Sequence, residues 1–210
     1  MSISDVQRDI IFLVADRNTE SAVRGLLSRP KSLAIRPVEA VIHTHPEHDP
    51  GCYCRAHDFL RAFRKRYAHA IVIFDREGCG SEAESRESLE AKVEKRLATS
   101  GWADRAKVIV IDPELENWVW SDSPEVDKAL GWAGRTPALR AWLAENQFLR
   151  QAGMKPDRPK EAVEAVLRLA PRPRSSAIYR ELAETVSFRR CVDPAFLKLR
   201  TTLNSWFPVG

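Results

Sequence analysis

Long hydrophobic runs are missing from this 210-residue chain. The longest, such as Ile10 to Ala15, falls far short of the ~20 apolar residues that cross a bilayer, which excludes a helical membrane span. Glycine is scarce, at 9 residues, and no glycine pattern of the Walker or Rossmann kind occurs. A nucleotide-cofactor enzyme is therefore disfavoured. There is no Gly-x-Ser-x-Gly elbow, which argues against a hydrolase built on a Ser–His–Asp triad. Cysteine is limited to 4 residues. The first ten residues are polar and carry acids, so no secretory signal is expected. Few cysteines without a signal predict a reducing, cytoplasmic setting, with free or metal-bound thiols. Internal repeats and low-complexity stretches are absent too, which sets aside collagen, coiled coil and disorder as descriptions of the chain.

What remains is an ordinary globular composition, 44% hydrophobic and 30% charged, in a chain long enough to bury its own core. The formal charge of +4 is unevenly spread. Residues 1–122 carry 18 basic and 20 acidic side chains, and residues 123–210 carry 15 and 9. A near-neutral first part followed by a basic second part suggests an anionic partner, or simply a solvated surface.

The hydrophobic pattern divides at the same place. Ile10–Ala15 and Ala70–Phe74 are short, β-rich apolar runs, the mark of buried parallel strands, and Pro37–His43 and Lys107–Ile111 read as two further strands. Helical spacing lies between them, at 21–28, 56–67 and 82–100. Alternation of this kind predicts an α/β fold with a mostly parallel four-stranded sheet flanked by helices. Beyond residue 114 the strands stop. Segments 115–121, 125–130, 137–149, 159–169, 176–186 and 194–206 read as helices punctuated by Pro and Gly. The expected organisation is an α/β domain over 1–122, with a helical extension over 123–210 packed on it.

Acidic residues gather where these strands end. Asp16 follows the first strand, with Glu20 four residues on. Asp75 and Glu77 follow the third, and Asp112, Glu114 and Glu116 follow the fourth. Open parallel sheets bind ligands beyond the carboxyl ends of their strands. Carboxylates delivered there from several strands suit Mg²⁺ or Mn²⁺. Each acid taken singly reads equally as a helix cap or turn former.

The sequence Asp16-Arg-Asn-Thr-Glu20 between a strand and a helix, Asp75-Arg-Glu77 after a strand, and Pro113-Glu-Leu-Glu-Asn-Trp118 after another resemble the motifs of a TOPRIM domain. More narrowly, they resemble the TOPRIM-like proteins of bacterial anti-phage defence loci. Lys155-Pro156 and the segment from Cys191 to Phe196 match the later part of that pattern. Asp16 stands where the pattern has Glu, Arg17 where it has Gly, and Glu77 where Asp is usual. The resemblance implies Mg²⁺- or Mn²⁺-dependent phosphodiester chemistry on nucleic acid. Asp16 or Glu20 would act as base or ligand, and Asp75, Glu77, Glu114 and Glu116 would be ligands. Arg17 places a cation beside that site, either as a phosphate contact or as a sign of lost activity. Two readings therefore stand. One is a metal-dependent nuclease, or nuclease-like subunit, of a phage defence system. The other is a catalytically degenerate scaffold that binds nucleic acid or a partner subunit.

Residues 43–57 hold a dense set of soft ligands: His43, His45, His48, Cys52, Cys54 and His57. Residues 44–55 read as a polar loop, and with Pro46, Pro50 and Gly51 in it the segment is a candidate zinc site, though Cys-x-Cys is tighter than usual finger spacing. One or two of the histidines lining a phosphate site, and histidines hydrogen-bonded locally, are the alternatives. The tryptophans at helical spacing read as core rather than as base-stacking platforms. Arg172, Arg174, Arg189 and Arg190 are the candidate nucleic-acid contacts in the basic part.

Overall fold

The computed structural model describes residues 8–149, 155–189 and 191–210. The first half runs β1 (Arg8–Val14), α1 (Arg17–Leu27), α2 (Pro30–Leu33), β2 (Ala40–Thr44), α3 (His48–Arg61), β3 (Tyr67–Asp75), α4 (Arg86–Leu97) and β4 (Ala106–Ile111). The second half is helical among the described residues: α5 (Glu116–Val119), α6 (Pro124–Ala129), α7 (Leu139–Glu145), α8 (Pro159–Leu169), α9 (Ser176–Thr185) and α10 (Pro194–Trp206). The strands form one sheet in the order β2-β1-β3-β4, with every pairing parallel. None of the described helices is long and apolar enough to cross a membrane.

Pleating explains the unbroken apolar runs. Ile10, Phe12, Val14, Ile71, Ile73, Ile109 and Ile111 project into one core, shared with α1 and the C-terminal helices. Ile11, Leu13, Ala15, Val72, Phe74, Val108 and Val110 project into a second core, covered by α3 and α4. In the middle of β1, β3 and β4 both faces are dry, so those positions select apolar residues, whereas the edge strand β2 is only half-buried. The C-terminal helices thus complete the cover over one face of the sheet rather than standing apart. Trp120 and Trp132 are buried there, and Trp118, Trp142 and Trp206 pack against the same core.

Helix α9 crosses α1 closely. A Cβ on Gly25 would lie 2.6 Å from the Arg180 carbonyl oxygen and 2.8 Å from the Ala183 Cβ, so only glycine fits. Arg29 ties the pair further. Its guanidinium donates to the carbonyls of Ala183 and Val186 and lies over the Phe188 ring.

The edge strand β4 has outward-facing amides that no strand pairs. Glu94 accepts from the Val108 amide and Glu90 from the Val110 amide, both at 3.0 Å. Lys198 of α10 donates to both carboxylates and holds them in place.

One expected element is corrected. Residues 44–55 are not a polar loop, because α3 begins at His48. Proline is tolerated in a first helical turn, where its missing N–H has no intrahelical acceptor, and Pro50 sits there. Gly51 is required by packing: a Cβ at that position would fall 2.0 Å from the His45 ring.

Candidate functional site

The strand order reverses direction between β1 and β3. β1 pairs with β2 on one side and with β3 on the other, the kind of switch point beyond whose carboxyl ends open parallel sheets bind ligands. Val14 pairs with Ile73, so Asp16 and Asp75 each stand two residues past that pair, on the same edge of the sheet.

Asp16 is the N-cap of α1. Its Oδ1 accepts from the Thr19 amide and the Thr19 hydroxyl, both at 2.8 Å. Asp75 ends β3. Its Oδ1 is out of contact with solvent and has no hydrogen-bond partner among the described residues. Burial pushes the Asp75 carboxyl well above the usual carboxylate range, and the charges of Asp49, Glu116 and Asp16 push it the same way. The Leu115 backbone amide pulls it partly back.

Asp49 is a member of this cluster that the sequence did not signal. It lies in the first turn of α3 and accepts from the Asp75 amide at 2.8 Å through Oδ1. Burial raises its pKa, and Asp16 raises it further. Cys52, one turn along α3, is fully buried. Burial first, then the charges of Asp49 and Asp16, push its thiol well up, so it stays protonated.

The segment after β4 supplies the other wall. Glu116 is buried and accepts a 2.5 Å hydrogen bond from the Tyr179 hydroxyl of α9. Burial and then Glu116 push the Tyr179 hydroxyl well above its ordinary value, so it remains a donor. The Arg174 guanidinium stands 3.9 Å from Glu116. Glu114 is 5% exposed, and its Oε1 accepts from the Lys160 amide. Burial raises Glu114 to about 7, with Glu116 and Glu77 contributing in the same direction.

The charges of Asp16, Asp49 and Glu116 therefore all act on Asp75, and that of Asp16 acts on Asp49 as well. Glu77 is exposed, and its charge reaches Glu114. Glu20 turns towards Arg24, which donates to Oε1 at 2.7 Å, and towards the Thr44 hydroxyl at 3.5 Å. Asp112 is exposed and pairs with Arg76 at 2.8 Å. Arg17 is exposed at the start of α1.

The His and Cys residues of 43–57 are divided between β2, the turn after it and α3. His43 packs against Phe59 and Phe63. His45 is buried, and its Nδ1 accepts from the Glu47 amide. The His48 ring meets the Ala15 carbonyl oxygen at 3.0 Å. His57 lies 3.5 Å from Asp58. Cys52 is buried while Cys54 is exposed, as expected for two positions about 200° apart around a helix. Among the described residues, no group of three or more His, Cys, Asp and Glu side chains is arranged to hold an ion as it stands.

Two of the four candidate arginines are not spare cations. Arg172 pairs with Glu181, and Arg174 with Glu164 as well as facing Glu116. Arg189 is exposed, and Arg190 lies outside the described residues. Comparison with family models, with curated proteins and with solved structures finds no match to this chain.

Proposed function

We propose that the chain is a TOPRIM-like, divalent-metal-dependent phosphodiesterase acting on nucleic acid, a nuclease or nuclease-like component of phage defence. The observation that carries this reading is the Asp75 carboxylate. It stands at the carboxyl end of β3 with one oxygen buried and unpartnered among the described residues, and the charges of Asp49, Glu116 and Asp16 act on it. Like charges gathered in a partly dry site need protons or a cation between them. The donors are all carboxylate oxygens, which fits Mg²⁺ or Mn²⁺ rather than a soft metal. Asp75, Asp49, Asp16 and Glu116 are the residues that would hold the ion. Bound there, it would neutralise a phosphate and stabilise a leaving oxygen.

The protein's own groups have separable parts in that scheme. Tyr179 fixes the orientation of Glu116 by its hydrogen bond. The Asp75 amide does the same for Asp49. Arg174 brings a guanidinium to the rim of the cluster, where a phosphate oxygen can exchange for Glu164.

A second reading, the degenerate scaffold, draws on a specific observation too. Asp16 is engaged by Thr19 and Glu116 by Tyr179, so each must turn to take a ligand. The test is cleavage of labelled DNA and RNA with Mg²⁺, with Mn²⁺ and with chelator, together with melting at each condition. The enzyme reading expects divalent-dependent cleavage that Asp75→Asn abolishes. Mn²⁺ stabilisation without cleavage supports the scaffold. Neither cleavage nor stabilisation rejects the metal site outright.

A further inference from the structure

The loop that leaves β3, Arg76-Glu-Gly-Cys-Gly-Ser-Glu82, is folded around one of its own carboxylates. Glu82 Oε1 accepts from the Gly78 amide at 3.1 Å and from the Gly80 amide at 3.0 Å. Both glycines have left-handed backbones, with φ of 84° and 85°, a conformation that glycine alone adopts without strain. Turns of this kind aim amides two residues apart at one point. Cys79 between them is buried in the core covered by α3 and α4 and anchors the loop, while Gly78, Gly80 and Glu82 stay exposed. A Cβ on either glycine would meet nothing within 4 Å, so the loop is open on that side.

Convergent backbone amides in such a loop make an anion site, and here an anion already occupies it. Its own amide first, then those of Gly80 and Gly78 and the Arg76 charge, hold the Glu82 carboxyl below the usual carboxylate range. The Arg76 guanidinium braces the same loop: it donates to the Glu82 carbonyl at 2.7 Å and to Asp112 at 2.8 Å. A loop that keeps one carboxylate ionised next to Glu77 and Asp112 has already offset their repulsion. Glu82 is exposed on a flexible side chain, so an anion from solution can displace it without opening the core.

We propose that loop 76–82 is a phosphate-binding nest in which the Glu82 carboxylate stands in for the ligand, and that a phosphate group displaces it to bond the Gly78 and Gly80 amides and the Arg76 guanidinium. The oxygens of a phosphate are set tetrahedrally, so they can meet amides and guanidinium together. Gly78 lies three residues past Asp75, at most about 11 Å along the chain. That is about three rises of a nucleic-acid strand, at about 3.4 Å each. On the phosphodiesterase reading, on which this placement rests, the nest holds a phosphate a few nucleotides from the one at the ion. The nest itself needs no metal.

The test follows the Gly78 and Gly80 amide resonances of the ¹⁵N-labelled full chain, in chelator at constant ionic strength, while inorganic phosphate is added. Glu82→Gln removes the resident charge but keeps a side chain that can clasp the loop, and Glu82→Ala removes the clasp as well. In both variants the two resonances should move together and saturate, at phosphate concentrations at least about tenfold below those the wild type needs, because phosphate no longer competes with an ion held by charge-assisted bonds. The spectra themselves show that each variant folds. A single-stranded oligonucleotide should move the same two resonances. If inorganic phosphate moves them and the oligonucleotide does not, the placement on a strand is overturned and the ligand is a free phosphate. Resonances that stay still in the wild type and in both folded variants overturn the nest. With metal absent throughout, that result leaves the cleavage test of Asp75→Asn untouched, and a failure of cleavage leaves the nest standing.

Discussion

The two ends of the sheet treat charge in opposite ways. At the amino end the cations are compensated one by one. Arg105 donates to the carbonyls of Tyr67, Ala68, Arg64 and Gly101 and lies over the Trp102 ring. Arg36 pairs with Asp9 at 2.5 Å, which holds the Asp9 carboxyl below its usual range. Arg8 pairs with Glu39. At the carboxyl end, burial first and then neighbouring carboxylate charges raise the pKa of Asp75 and of Asp49 instead. Charge answered within the chain serves the fold. Like charge left gathered, against its own repulsion, is the feature on which the proposed metal site rests.

The contrast makes ordered predictions. At the amino end, Arg105→Ala should cost the most, on the order of 3 kcal/mol, because carbonyls that it serves lose their donor. Denaturant unfolding at pH 7 measures it, and a loss below about 1 kcal/mol would count against a structural role for that guanidinium.

At the carboxyl end the largest effect is one of pH. The folded state raises Glu114 from 4.5 to about 7. As pH climbs between those values, the unfolded chain ionises first and the folded chain holds the proton. Stability from this group therefore falls across that window, by up to about 3 kcal/mol, and levels off above it. Glu114→Gln should flatten the wild-type slope between pH 4.5 and 7, measured in chelator. If the two slopes coincide, Glu114 does not carry the burden assigned to it.

Next comes Asp75→Asn. Removing a charge from the acidic cluster should stabilise the metal-free protein at pH 8 by about 1–2 kcal/mol, and should abolish stabilisation by Mn²⁺. A destabilised variant that still responds to Mn²⁺ would place the ion elsewhere. Smallest of all is Arg8→Ala. Its pair with Glu39 is exposed on both sides, so the change should stay within about 0.5 kcal/mol.

The sequence made the sheet legible because a strand buried on both faces can only be an apolar run. The C-terminal helices were legible for a related reason. Proline at the first turn of α8 and α10, together with apolar spacing, marks their starts at Pro159 and Pro194. The start of α3 was not legible. Pro50-Gly51 looks like a turn, yet proline fits a first helical turn, and the glycine answers to the His45 ring, a contact that spacing cannot show. Asp49 was lost with it, since an acid in an apparent loop gives no hint of meeting a distant strand end. Tyr179 was hidden in the same way, 63 residues from the Glu116 that it serves. Asp16 and Asp75 were legible because strand-end position is itself a coordinate in a parallel sheet.

The carboxylates of Glu90 and Glu94 do more than fill two valences on β4. Together with Lys198 they occupy the hydrogen-bonding rim that an incoming chain would need. A strand from another molecule would have to displace both acids and strip the lysine of its partners before its first rung formed. On that side the sheet is terminated, so the route to runaway stacking that open edges offer is blocked there. Any partner that joins by extending the sheet is left with β2.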